Sequence, residues 1–223
     1  KHVLSEKPLA ASLDRALEAL AVHREEAPHL AWAVCENWPR KPSVEWMRSQ
    51  LQQGAIGAVV SARCELLDGS EATGGAADDW RARGEYEGGV LLDNGVHWIR
   101  LLRHLLGEPT VASATTCSLG GGAPDVLHAW IRLEHCATAA TLALSFAPSS
   151  ARRRGVRQRR QIGPPDAALT LVGATGTIRW WPTHQNSEGL ARVSLERVDG
   201  EPLEMVLRDD WVCGGVEATL RDA

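Results

Sequence analysis

The stretch Gly88–Gly107, reading GGVLLDNGVHWIRLLRHLLG, restricts the fold more than any other part of the chain. Two glycines open it, an apolar run follows, and Gly107 with Pro109 closes it, the usual stop signal of a helix. On that helix Asp93 and His97 stand four residues apart and share a face, which continues through Arg100 and His104. The other faces carry Leu91, Leu92, Val96, Ile99, Leu101, Leu102, Leu105 and Leu106. A helix apolar nearly all round is a buried helix. A carboxylate and an imidazole on it need partners or a task, because burying polar groups unpaired costs kilocalories. Spacing alone leaves two readings open. One is a structural pair inside a buried helix. In the other, His97 is a general acid/base, with Asp93 fixing its tautomer or holding a substrate.

The segments around this helix predict two kinds of sheet. Lys1–Leu4 reads as the end of a short buried strand, interrupted by Ser5-Glu6-Lys7-Pro8. Ser12 then caps a helix through Leu13, Ala16, Leu17, Leu20 and Ala21, and His29–Cys35 is an apolar run suited to a buried parallel strand. Strand, helix and strand in this order form a βαβ unit with a right-handed crossover. Ser43 caps the next helix, which carries Val44, Met47 and Leu51 and ends at Gly54. From Gly57 the period becomes two, with Val60, Ala62, Cys64 and Leu66 on the inner face. Asp68–Ala77 is small and polar, hence a loop. Strands are predicted at Val111–Cys117, Val126–Leu133, Thr138–Phe146, Ala168–Val172, Thr177–Trp181 and Arg192–Val198. The expected fold is therefore α/β plus α+β. Residues 1–37 form the C-terminal remnant of a Rossmann-type parallel sheet. Residues 38–223 form a domain with a mostly antiparallel open sheet packed on helices.

Several classes of function are disfavoured. A net charge of −4 gives no global attraction to nucleic acid or anionic membrane. No apolar run reaches about 18 residues, so no membrane span is expected. The five cysteines (35, 64, 117, 136 and 213) lack paired spacing, which argues against a zinc site or disulfide frame. With no basic-then-apolar leader, this favours a reducing, cytoplasmic setting. The one dense charge cluster runs from Arg152 to Arg160. It has no interleaved aromatic residue and is followed by Gly163-Pro164-Pro165, so it reads as a loop rather than a nucleic-acid site. The chain begins at Lys1 rather than Met and ends in ATLRDA, as if entering a helix. It reads as a piece of a longer protein.

Further candidate positions flank the helix. Lys7 lies in a turn at the C-terminal end of a predicted parallel strand, where α/β sheets bind ligands, though three residues of Glu-Lys-Pro equally suit a surface turn. Asn37 follows the second such strand and is either a turn former or a hydrogen-bonding group in the same crevice. Trp80 is either core or the wall of a pocket. Gly173–Thr177 resembles a phosphate loop, but a strand follows it instead of a helix N-terminus.

Taken together the segments resemble one family, the glucose–fructose oxidoreductase/inositol dehydrogenase (Gfo/Idh/MocA) oxidoreductases. KHVLSEKPLAASLDRALEAL is similar to the family's Glu-Lys-Pro segment, and GAIGAVVSARCEL to the strand opening its second domain. WRARGEYEGGVLLDNGVHWIRLLRHLLGEP resembles its Asp-x-x-x-His helix, and LVGATGTIRW its late Gly-x-x-Gly hairpin. The resemblance implies an NAD(P)-dependent dehydrogenase, with NAD or NADP as cofactor, acting on a sugar, polyol or related cyclic alcohol. It assigns Lys7, Asp93 and His97 to catalysis and Glu6, Lys7 and Pro8 to the cofactor, with Pro8 in a cis peptide. Asn37, Trp80, Asp93 and His97 then face the small-molecule substrate, no metal is involved, and the open sheet favours a homo-oligomer. Gly88 and Gly89 would let backbone pass close to cofactor or substrate. The sequence departs from the family in lacking the strand–Gly-x-Gly-x-x-Gly–helix segment that holds pyrophosphate. Pro39, Arg40 and Lys41 also stand after Trp38, where the family usually has Arg-Phe or Arg-Tyr. The expected consequence is weak dinucleotide binding and little turnover by this chain alone. The alternative is a non-catalytic assembly or regulatory module built on the same fold.

Overall fold

The alternating and helical segments of the sequence become two sheets and their helices in the computed structural model, which describes residues 1–67, 88–119, 123–146, 167–182 and 189–209. Strands β1 (Val3–Glu6) and β2 (Trp32–Cys35) pair in parallel, from Val3 opposite Trp32 to Glu6 opposite Cys35. Helix α1 (Leu13–Glu26) connects them, and Ser12 caps it by accepting the Arg15 N–H at 3.4 Å. The order agrees with the βαβ reading, but the burial does not. Val3, Leu4 and Val34 are exposed, as are Leu13 and Leu17, and no residue of α1 is buried. Two strands and one helix offer each other too little surface to enclose these side chains. β1 also continues through Glu6 instead of ending at Leu4.

A single 3-10 turn at Trp38–Arg40 leads into α2 (Pro42–Gln52). Ser43 was expected to cap this helix. Instead Lys41 takes the cap position without a side-chain bond, and Ser43 lies buried in the first turn. The carboxylate that satisfies this helix start belongs to Asp209, 166 residues further along the chain. Asp209 Oδ1 accepts the Ser43 N–H at 2.9 Å and Oδ2 accepts the Ser43 hydroxyl, while Trp180 Nε1 donates to Ser43 Oγ at 2.8 Å. A cap supplied from so far away leaves no local signature in the sequence.

The large sheet contains β3 (Val59–Leu67), β4 (Pro109–Cys117), β5 (Val126–Leu133), β6 (Ala140–Ser145), β7 (Leu169–Gly173), β8 (Gly176–Trp181), β9 (Leu190–Arg197) and β10 (Leu203–Arg208). Its order is β10-β9-β8-β7-β3-β6-β5-β4, with β3 and β6 parallel and every other pair antiparallel. β10 was not anticipated. It is an edge strand with most residues exposed, so the hydrophobic alternation that marks its neighbours is weak. In β3 the register shifts between Val59 and Ser61, which buries Val59 and turns Val60 outward, against the expected alternation. Beyond the shift Ala62, Cys64 and Leu66 face inward as predicted.

Helix α3 (Gly89–Leu106) lies in the core formed on one face of this sheet. It buries Trp98, Leu101, Leu102, Leu105 and Leu106, each full burial contributing about 1.5–3 kcal/mol. Ile99 and Arg100 are exposed, so the helix is one-sided rather than enclosed on every face. Gly107 ends it at φ 84°, where its N–H reaches Arg103 O at 3.0 Å and a Cβ would stand 2.6 Å from Glu134 Oε2. At the β7–β8 hairpin a Cβ on Gly173 would lie 2.1 Å from the Ile56 carbonyl oxygen, so close packing requires this glycine. No helix among the described residues is long and apolar enough to cross a membrane. Asp68–Ala77, Trp80 and Arg152–Arg160 lie outside the described residues.

Candidate functional site

Three chain segments meet beside the N-terminal half of α3: the turn after β1, the end of β2, and the α3 face bearing Asp93 and His97. The Lys7–Pro8 peptide in the first turn is cis, in agreement with the expectation for Glu-Lys-Pro. Lys7 Nζ donates to Asp93 Oδ1 at 2.7 Å and to the Asp93 carbonyl oxygen at 2.8 Å. The two side chains are 15% and 10% exposed, so most of the hydration of each charge has been replaced by the other. Such a pair is strongly unfavourable to break, because either partner alone would remain a charge largely shielded from water. Glu6 itself is exposed and accepts the Lys7 N–H at 3.2 Å.

His97, one turn further along α3, is 3% exposed and has a carboxylate partner of its own. Glu36, at the end of β2, places Oε1 2.8 Å and Oε2 2.7 Å from His97 Nδ1. One N–H serves one of these oxygens at a time. Glu36 Oε1 also accepts the main-chain N–H of Trp38 at 2.9 Å. With Nδ1–H donated to a carboxylate, the ring is fixed in the tautomer whose Nε2 carries the lone pair. The imidazole stacks on Trp38 with centroids 5.1 Å apart and planes 9° apart. Trp98 and Trp180 meet Trp38 edge-on at 4.9 and 5.9 Å, and this aromatic group backs the imidazole.

The helix spacing therefore placed Asp93 and His97 on one face but did not give their partners. Asp93 bonds Lys7, and the carboxylate on His97 is Glu36, which the sequence reading passed over. Its only signal was position: it ends a parallel strand, where ligand-directed groups collect. His104, further along the same strip, places Nε2 3.0 Å from Glu45 Oε1 on α2. Burial pushes its pKa below the ordinary histidine value, and the charges of Arg48 and Arg100 act in the same direction, while Glu45 opposes them. Asn37 is 2% exposed, and its Nδ2 has no hydrogen-bond partner among the described residues. A buried amide donor of this kind suits a ligand acceptor better than a solvated turn.

A nicotinamide dinucleotide is the cofactor that the family resemblance implies, and its two ends fare differently against these residues. A buried ammonium, a tautomer-fixed imidazole and an unpaired amide donor suit a nicotinamide and an alcohol. For the pyrophosphate, the connection from β1 to α1 runs through Glu-Lys-Pro-Leu-Ala-Ala-Ser, which contains no glycine to let backbone N–H groups close around phosphate.

Comparisons with known proteins place the chain in a family and a fold. The GFO/IDH/MocA C-terminal domain family matches residues 44–179. An uncharacterized protein of Saccharomyces cerevisiae is 35% identical over 139 residues, which cover 60% of this chain and 38% of the yeast protein. The crystal structure of an oxidoreductase from Thermotoga maritima superposes with a TM-score of 0.74 at 20% identity, covering 99% of this chain and 59% of that one. An inositol dehydrogenase homologue from Azotobacter vinelandii, crystallised with NADH and myo-inositol, gives a TM-score of 0.68 at 17% identity over 92% of this chain and 49% of its own. These structures share the fold. The chain spans well under two thirds of the length of each of these relatives.

Proposed function

Because the chain belongs to the GFO/IDH/MocA oxidoreductase family, we propose that it carries the acid/base half of an NAD- or NADP-dependent dehydrogenase site. The reaction is oxidation of a CH–OH group on a sugar, polyol or related cyclic alcohol, and its reverse. One observation carries this reading: the Lys7–Asp93 and Glu36–His97 pairs stand on successive turns of one buried helix face. Lys7 spends two of its three N–H donors on Asp93, which leaves one for a ligand.

His97 Nε2 takes the hydroxyl proton, and Glu36 stabilises the imidazolium that forms. Lys7, tethered by Asp93, has a third N–H available for the substrate oxygen, favouring the developing alkoxide over the neutral alcohol. The nicotinamide, when bound, would supply the acceptor for the hydride that leaves the carbinol carbon, so the hydride with its two electrons and the hydroxyl proton taken by His97 are both accounted for. Glu6, Lys7 and Pro8 lie on the cofactor side in this reading. Asn37, Asp93 and His97 lie on the substrate side; Trp80, the fourth residue expected there, is outside the described residues. Residues 1–37 then belong to the nucleotide-binding part, and 38–223 form the substrate and dimerisation part. The exposed face of the large sheet, with Trp130 44% exposed, is the surface for a second copy.

A second reading is an assembly or regulatory module built on the same fold, for which the exposed face of the large sheet is the candidate surface. The test is turnover by the native gene product that carries this chain, followed as reduced nicotinamide with a panel of polyols and sugars. The dehydrogenase reading expects turnover with at least one of them and its loss in Lys7→Met. No turnover with any of them, together with unchanged self-association, would favour the module.

A further inference from the structure

The two edges of the large sheet are finished differently. β4, at one end, begins with Pro109, and its register shifts between Pro109 and Val111, both features that discourage a further strand from pairing. β10, at the other end, has neither: LEMVLR runs without proline, and its pairing with β9 is continuous from Leu203 to Arg208. The Asp209 N–H bonds the Gly189 carbonyl oxygen at 3.0 Å. Backbone groups alternate in direction along an antiparallel ladder, so those of Leu207 and Met205 also point to β9, whereas those of Val206 and Glu204 point away from it. Among the described residues no strand lies on that side. Met205 and Leu207 stand opposite the buried Val193 and Ala191, on the core side of the sheet. Glu204, Val206 and Arg208 are therefore on the other side, where all three are exposed, Val206 by 62%.

We propose that β10 is a self-complementary edge to which a second copy of this chain adds its own β10, antiparallel, about a two-fold axis at Val206. In that register Val206 faces its own counterpart and exchanges both backbone hydrogen bonds with it. Two residues to either side, Glu204 faces the partner's Arg208, and by symmetry Arg208 faces the partner's Glu204. Met205 then faces the partner's Leu207 on the core side. An edge guarded by charge repels a copy of itself. Here one acid and one base, placed symmetrically about an exposed valine, attract it. Within the chain Glu204 has only a long ion pair with Arg192, 3.8 Å apart and exposed on both sides, so turning to the partner's Arg208 costs little. Six residues make a small contact beside the roughly 1,000 Å² of a stable dimer, so the association is reversible. It is separate from the open face bearing Trp130, because β5 and β10 lie toward opposite ends of the sheet, and it does not depend on the dehydrogenase reading.

The test is sedimentation velocity of the native gene product over a range of concentrations. Glu204→Arg and Arg208→Glu each set like charges against one another in a self-paired edge, so each alone should weaken self-association by about fivefold or more. Mixed in equal amounts, the two variants present opposite charges to each other at both positions, and the mixture should recover most of the unmodified association. Loss of structure in either variant would not produce that recovery. If either does not fold, Val206→Cys decides. A short thiol–thiol cross-linker should join two copies at this position beyond the level seen in the unmodified protein. It should not do so in Val198→Cys, whose side chain is 76% exposed but lies away from the axis. Equal association in both single variants and in their mixture, as the open face alone would give, overturns the proposal and leaves the open-face contact standing. Absence of self-association in the unmodified protein overturns it as well, as does Val206→Cys that gives no added cross-linked dimer.

Discussion

At the scale of single residues, the two halves of the site differ in how they were legible. Asp93 and His97 could be found because helical spacing places i and i+4 on one face. Their true partners, Lys7 and Glu36, are 86 and 61 residues away, and no periodicity connects them. Glu36→Gln tests the assigned tautomer. An amide can donate as well as accept, so Nδ1–H is no longer enforced, and turnover of the native gene product should fall by about 10²-fold or more. Turnover within a factor of two of the unmodified enzyme would mean that Glu36 does not orient His97. His104 makes a separate prediction about stability. The unfolded chain binds a proton at this position near pH 6.5, whereas the folded chain binds it only at lower pH, because of burial. Between those two values the unfolded state holds more protons, so this residue's contribution to stability is complete above pH 6.5 and is lost as pH falls through the folded pKa. Urea unfolding as a function of pH should show a shallower acid limb in His104→Gln. An identical limb would remove His104 as its source.

At the scale of elements, most strands and all three of the described α-helices could be read from period alone, and the misses have specific causes. β10 is an exposed edge with little alternation, and Val60 was placed on the wrong face because the shift at Val59/Ser61 leaves no mark in composition. Ser43 has the chemistry of a cap and the position of a first-turn residue, and the capping carboxylate comes from Asp209. That long-range cap ties the start of α2, and with it Lys41 and Trp38, to the far edge of the sheet. Asp209→Ala should therefore destabilise the chain by about 2–4 kcal/mol, since it leaves the Ser43 N–H and hydroxyl without their buried charged acceptor. A loss below about 0.5 kcal/mol in denaturant unfolding would show that water replaces the carboxylate.

At the scale of the whole molecule, the burial of β1 and β2 was the largest misreading. Apolar runs such as HLAWAVC predict enclosed strands, yet enclosure depends on what lies over a sheet, and that is not encoded in the strands themselves. The large sheet shows the opposite case: its inner face is covered by α2 and α3, and its buried positions follow the sequence alternation along β5 and β6. The site lies where these two situations meet, between a small parallel sheet that supplies Lys7 and Glu36 and a helix on the large sheet that supplies Asp93 and His97. The central claim is that this junction moves the substrate proton through His97. The most direct measurement is the pre-steady-state rate of nicotinamide reduction by the native gene product, compared between the unmodified enzyme and His97→Ala across pH. The account predicts a loss of roughly 10²–10⁴-fold near neutrality that narrows as pH rises and hydroxide replaces the missing base. An unchanged rate with an unchanged pH profile would contradict it.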